Sequence, residues 1–194
     1  MIPSFIRNNP RLALFAFIAV ATSGFGQTFF VSVMGGQLRE AFGFSHTLYG
    51  GLYSGANVLS AILLFRFGSL ADSWSLSKVT ALALLILAAG CLLIGISPNA
   101  LLLGLGFLLI RFGGQGLTAH LGLTTAARYF SAHRGKAVAM AGIGFPLAEG
   151  TFPAGAVFLM QAFGWRWPWL LGFAILTLAV LPLLLFLSRK TPAP

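Results

Sequence analysis

The sequence predicts an all-α membrane protein whose six transmembrane helices form two inverted three-helix repeats, in a single bundle over residues 1–194. Three observations lead there. Hydrophobic residues make up 58% of the chain and charged residues 8%, with mean hydropathy +0.92. A soluble domain carries about 25% charged residues, and this chain has too few to keep a surface wet. Six apolar runs are each long enough to cross a bilayer, which takes about 20 residues. The 12 Lys and Arg, against 3 acids, sit in the short gaps between those runs, where membrane topology explains them better than a nucleic-acid partner. No basic patch is interleaved with aromatic platforms.

The runs cover about 12–34, 47–70, 78–97, 100–127, 135–161 and 166–188. The first begins like a signal peptide, with Arg7 and Arg11 before an apolar stretch and small residues at Ala21 to Gly24. Its apolar character continues to Met34, past an ordinary signal core, so an uncleaved first span is expected. Pro98 and Asn99 make a tight turn between the third and fourth runs. Trp165, Trp167 and Trp169 cluster at the mouth of the sixth run, where indoles favour the interface, and an aromatic belt is expected rather than a ligand cage. Cys91 lies within an apolar run, and the expectation for it is packing.

Orientation follows from the cations. Arg7, Arg11, Lys78, Arg128, Arg134, Lys136, Arg189 and Lys190 fall on one side with Arg66 near it, while Arg39 and Arg166 fall on the other. Both termini are expected in the cytoplasm, and the protein in a plasma membrane, the inner membrane of a bacterium. The halves of the chain share a pattern. Gly26-Gln27 recurs as Gly114-Gln115, and Phe44-Ser45-His46 as Phe130-Ser131-Ala132-His133. Three spans per unit is an odd number, so the second unit lies inverted, as in many secondary transporters.

Charges within spans are expensive and mark function. Arg111 is about eleven residues into the fourth run and Glu149 about fourteen into the fifth, which places both near the midplane at about 1.5 Å per residue. An Arg111–Glu149 pair is expected, read either as a structural tie or as an anion anchor with a titratable counter-ion. On a regular helix Gln115 and Thr118 share the face of Arg111, and His120 points away as a packing residue. Gly142, Pro146, Glu149 and Pro153 share a face where glycine and proline bend the fifth helix. Ser23, Gln27, Ser54 and Asn57 lie at similar depth, with Gln27 and Asn57 expected to line a cavity. No nucleophile–base pair, metal-ligand cluster or phosphate loop appears, so neither an enzyme nor a cofactor is expected.

Four stretches carry a family resemblance. Gly68-Ser69-Leu70-Ala71-Asp72-Ser73-Trp74-Ser75-Leu76-Ser77-Lys78 is similar to the G-x-L-A-D-R-x-G-R-[RK] loop of the major facilitator superfamily. Ser73, Ser75 and Leu76 depart from that loop, and Lys78 stands in for one basic partner. Arg111-Phe112-Gly113-Gly114-Gln115-Gly116 resembles the family's R-x-x-x-Q-G element. Arg134-Gly135-Lys136-Ala137 and Gly142-Ile143-Gly144-Phe145-Pro146 resemble the R-G-x-A opening and Gly/Pro-rich body of its fifth helix. Gly164-Trp165-Arg166-Trp167 resembles the G-W-R-W loop before its sixth.

The resemblance implies the N-terminal six-helix half of a secondary transporter that works by alternating access. It implies a gating role for Gly68, Asp72 and Lys78, and a second six-helix half, a second copy or a membrane-complex partner. The expected cargo is a small organic solute, proton-coupled, with Arg111 tilting the expectation towards an anion. The competing expectation is a non-transporting structural or assembly subunit of a larger membrane complex.

Overall fold

A computed structural model of the protein describes residues 9–68 and 74–189. Asp72, with Arg7, Lys190 and the chain's last residues, lies outside them. The described residues form helices and no strands. Six helices are long and apolar enough to cross a membrane: span 1 (Pro10–Ser32), span 2 (His46–Phe67), span 3 (Leu76–Ile96), span 4 (Ala100–Tyr129), span 5 (Ser131–Phe163) and span 6 (Trp167–Ser188).

Local chemistry sets the turns between them. A short helix, Gly35–Phe42, follows span 1 and ends on Gly43, whose φ of 64° is easy only for glycine. There the Gly43 N–H donates to Glu40 O and the Phe44 N–H to Arg39 O, a Schellman cap that satisfies the last carbonyls. Ser45 Oγ then accepts from Leu48 N–H at 3.1 Å to start span 2. Asn99 Oδ1 accepts from Leu102 N–H at 3.0 Å to start span 4. Each side-chain acceptor answers a first-turn N–H that has no helical partner.

Span 3 is the hub. Its buried residues Val79, Thr80, Ala83, Leu84, Leu87, Ala88, Cys91 and Ile94 recur every three or four positions, so one continuous stripe faces the bundle. Lipid is as apolar as leucine, so close packing must hold such helices together instead of a hydrophobic force between them. Glycines supply the closeness. A Cβ at Gly90 would lie 2.7 Å from the Ile110 backbone nitrogen, and one at Gly113 would lie 2.6 Å from that of Leu87.

Spans 1 and 4 cross more tightly still. A Cβ on Gly26 would collide with the Ile110 carbonyl oxygen, and one on Gly114 would sit 2.8 Å from the Gly26 Cα. The repeated Gly-Gln pair of the sequence is therefore the crossing of the two repeats.

The backbone deviates at that crossing. Span 1 tightens to a 3₁₀ turn over Ser23–Gly26 and opens to an extended Gln27, at φ −86° and ψ 154°. Span 4 widens to a π-helix over Arg111–Thr118. Thr118 Oγ1 donates to Gly113 O, five residues back, at 2.6 Å. Span 5 breaks at Ile143, between helical segments Arg134–Gly142 and Gly144–Phe163. Pro146 and Pro153 have no N–H to offer the Gly142 and Glu149 carbonyls four residues before them. Span 6 likewise widens over Leu176–Val180, just ahead of Pro182.

The aromatic belt at span 6 is only partly as expected. Trp167 is half exposed, and Arg166 stacks on Trp165 at 4.3 Å while donating to Ser97 O. Trp169 is instead fully buried, edge-on to Phe30 at 5.2 Å. Trp169 is two residues, about 200°, round the helix from the exposed Trp167, and so faces the bundle.

Substituting the crossing should separate packing from propensity. Gly26→Val is expected to destabilise the protein by about 3 kcal/mol, the upper range for overpacking. Gly150→Ala, whose Cβ meets nothing within 4 Å, is expected to stay within about 0.5 kcal/mol. Thermal melts in detergent check both, and equal melting of the two variants would refute the tight crossing.

Candidate functional site

Because Gly26 and Gly114 let the two backbones touch, the next residue of each pair projects past the contact into the same space. That space is an open cleft of about 570 Å³, within the about 300–1,000 Å³ usual for small-molecule sites. Its polar lining is Gln27 from span 1, Gln115 and His120 from span 4 and Glu149 from span 5. Phe29, Leu64, Ala119, Leu123 and Phe145 supply apolar wall, and Gly116 leaves room. The deviating backbone of all three polar contributors lies at this depth. Non-helical backbone is tolerated in a membrane where it lines a cavity or is buried in protein.

His120 is the residue that a regular helix misplaces. At nine positions from Arg111, 3.6-residue turns put it on the far face, but the π segment between them adds a residue to the turn. Gln115 and His120, five apart, consequently share one face: both are exposed to the cleft, while Arg111 and Thr118 are buried. The glycines at 113, 114 and 116 were the available signal in the sequence.

Arg111 does not line the cleft and does not pair with Glu149. It is 8% exposed, and its Nη1 donates to Gly26 O at 3.0 Å and to Thr28 Oγ1 at 3.2 Å. Tyr53 of span 2 closes the cluster. Its hydroxyl donates to Thr28 Oγ1 at 3.2 Å, and its ring lies 5.6 Å below the guanidinium carbon.

The cause is the break in span 1. The Phe30 N–H bonds to Gln27 O and not to Gly26 O four residues back, so the Gly26 carbonyl needs another donor. A guanidinium with several N–H groups in a fixed fork is suited to that carbonyl and a neighbouring hydroxyl together. Arg111 thereby ties spans 1, 2 and 4 at the crossing, and Glu149 is left in the cleft without it.

The remaining expected residues separate. Gln27 and Gln115 meet in the cleft. Asn57 does not join them: it sits one turn from Tyr53 on span 2, its Oδ1 buried without a hydrogen-bond partner among the described residues. Ser23 is buried and donates to Val20 O at 2.7 Å, and Ser54 is exposed. Pro146 and Gly142 flank the break in span 5, and Pro153 lies one turn beyond Glu149. Gly68 ends span 2 and Lys78 begins span 3.

Arg111→Ala and Thr28→Val are each expected to destabilise. The double variant should fall short of the sum by about 1 kcal/mol, since the residues share one network. Strict additivity in thermal melts would refute the shared tie.

The family model described as Major Facilitator Superfamily matches residues 16–194. No curated protein and no solved structure matches the chain. The matched family is one of membrane transporters, and the match includes all of the residues that build the cleft and the Arg111 tie. With six membrane-crossing helices and that match over nearly its whole length, the chain is a multi-pass integral membrane transporter-type protein and belongs to the major facilitator superfamily.

Proposed function

We propose that the protein is a secondary active transporter, or the N-terminal half of one, moving a small organic solute by alternating access. The observation that carries this reading is the cleft itself. It gathers polar side chains from both inverted repeats at broken helices, the usual build of a transporter's midplane site. Gln27, Gln115 and Glu149 are the proposed solute and coupling residues, and Gly142, Pro146 and Pro153 the bending points. Glu149 is also the proposed proton carrier: an acidic group open to the cleft can take up and release a proton as access changes. Arg111 is proposed to act at one remove, fixing the crossing beside the solute. An anionic preference drawn from Arg111 has no support in the cleft wall, since the guanidinium is turned to Gly26 and Thr28.

The membrane orientation is part of the proposal. Arg11 bonds Phe186 O, and Ser77 bonds Ser188 at 2.8 Å, so the start of span 1, the start of span 3 and the end of span 6 share one side. Arg11, Lys78, Arg128, Arg134 and Lys136 cluster there, and an excess of cations marks the cytoplasm. A role for Gly68, Asp72 and Lys78 as the gating loop rests on their resemblance to the family's loop. Spans 2, 5 and 6 leave most of their surface open, and spans 2 and 5 also line the cleft, where the proposal puts a second six-helix unit.

Uptake of a panel of organic amines, acids and sugars by proteoliposomes tests the function. At least one solute is expected to accumulate. Glu149→Gln and Gln115→Ala are each expected to lower its rate about tenfold, or about 1.4 kcal/mol. Flux of nothing in the panel, with fixed-ratio copurification in a larger complex, would replace transport by an assembly role.

A further inference from the structure

We infer that the cleft selects a solute carrying a cationic nitrogen, with Glu149 as its anchor. This rests on the reading of the cleft as the solute's seat and adds the solute's charge.

The charges in the wall set the argument. Among the cleft's lining residues Glu149 is the sole carboxylate, and no Lys or Arg joins it. The Arg111 guanidinium, which could have neutralised it, is held by Gly26 O, Thr28 Oγ1 and the Tyr53 ring. Its commitment is structural, because the broken span 1 leaves the Gly26 carbonyl without a helical donor. Among the described residues Glu149 has no ion-pair partner, and the Arg111 guanidinium has no acid. Glu149 is exposed to the open cleft, and a cationic solute supplies the counter-charge that no Lys or Arg of the lining does.

The surroundings agree. Gln27 and Gln115 offer amide oxygens as well as N–H groups, so they can accept from an ammonium that Glu149 holds. Phe29 and Phe145 on the wall supply aromatic surface of a kind that attracts cations and packs against an apolar body. An anion would find donors in the Gln27 and Gln115 N–H groups, but its charge would oppose that of Glu149.

His120 is the one other ionisable group of the wall. In its neutral form it leaves the wall's charge at that of Glu149; protonated, it offsets it. His120→Gln fixes the wall as acidic and should preserve or sharpen the preference for a cation.

The test uses two probes of similar size and opposite charge, phenethylammonium and phenylpropionate, dialysed against the protein in lipid nanodiscs. Phenethylammonium is expected to bind at least about tenfold more tightly than phenylpropionate. Glu149→Gln should remove that difference, and Glu149→Asp should retain most of it, which guards against a merely misfolded variant. Glu40→Gln, on the helix outside the cleft, should change nothing.

Equal or tighter binding of phenylpropionate would overturn the inference. So would cation binding indifferent to Glu149→Gln, or no binding of either probe above empty nanodiscs. The outcome is separable from the transport reading. Uptake of an anionic or uncharged solute through the cleft would keep transport and discard the cation preference. Glu149-dependent cation binding without flux of any solute would do the reverse.

Discussion

Where span 1 passes span 4, Gly26 and Gly114 place two backbones in direct contact, and the rest of the site is arranged around that contact. A side chain on either residue would collide with main chain rather than with something that could move aside. Close backbone approach is how helices associate in lipid, but here it has a second effect. The residue after each glycine is forced out on the same side of the contact. Gln27 and Gln115 therefore become neighbours in the cleft without any direct instruction in either helix.

The contact has a consequence for hydrogen bonding. To turn past span 4, span 1 gives up its regular ladder, and the Gly26 carbonyl is freed. In lipid an unsatisfied carbonyl costs several kcal/mol, while a buried guanidinium costs energy of its own. Each problem answers the other: Arg111 donates to Gly26 O and Thr28 Oγ1, and Tyr53 covers its face. The two effects do not cancel elsewhere in the molecule, since Asn57 Oδ1 nearby stays without a donor among the described residues. Replacing Arg111 by an apolar residue would remove the buried charge but return the carbonyl to an unsatisfied state. The second effect dominates, because the guanidinium already has two hydrogen bonds and a ring face to offset its burial, and the bare carbonyl would have nothing.

Much of this was legible in the sequence. Composition and run length give six helices, and the Gly-Gln repeat hints at two related halves, though that the two pairs cross is seen only in the structure. Glu149, Gln27 and Gln115 stand out as polar residues deep in apolar runs, and they do meet. What was not legible depends on departures from a regular helix. A 3.6-residue turn assigns Arg111, Gln115 and Thr118 to one face and His120 to another. The π segment at Arg111–Thr118 reverses the result for Thr118 and His120. Equal depth made an Arg111–Glu149 pair attractive, but depth does not say which way a side chain turns. The broken ladder of span 1 decides that for Arg111, and hydropathy carries no information about a broken ladder. Trp169 shows the same limit on a smaller scale: an indole near the interface by count is in the core by rotation.

The charge of the cleft follows from the same chain of causes. If span 1 were a regular helix, Gly26 O would have its own donor and Arg111 would be free to turn towards Glu149. The cleft wall would then be neutral overall, with its acid and base satisfied by each other. The break in span 1 diverts the base, so the acid faces the solute with nothing among the lining residues to balance it but a titratable histidine. Backbone geometry at one glycine crossing thus sets the electrostatic character of a site whose ionisable side chains lie on other helices. A substitution that restored the ladder of span 1 would be expected to change the cleft's charge preference without touching any residue in its wall.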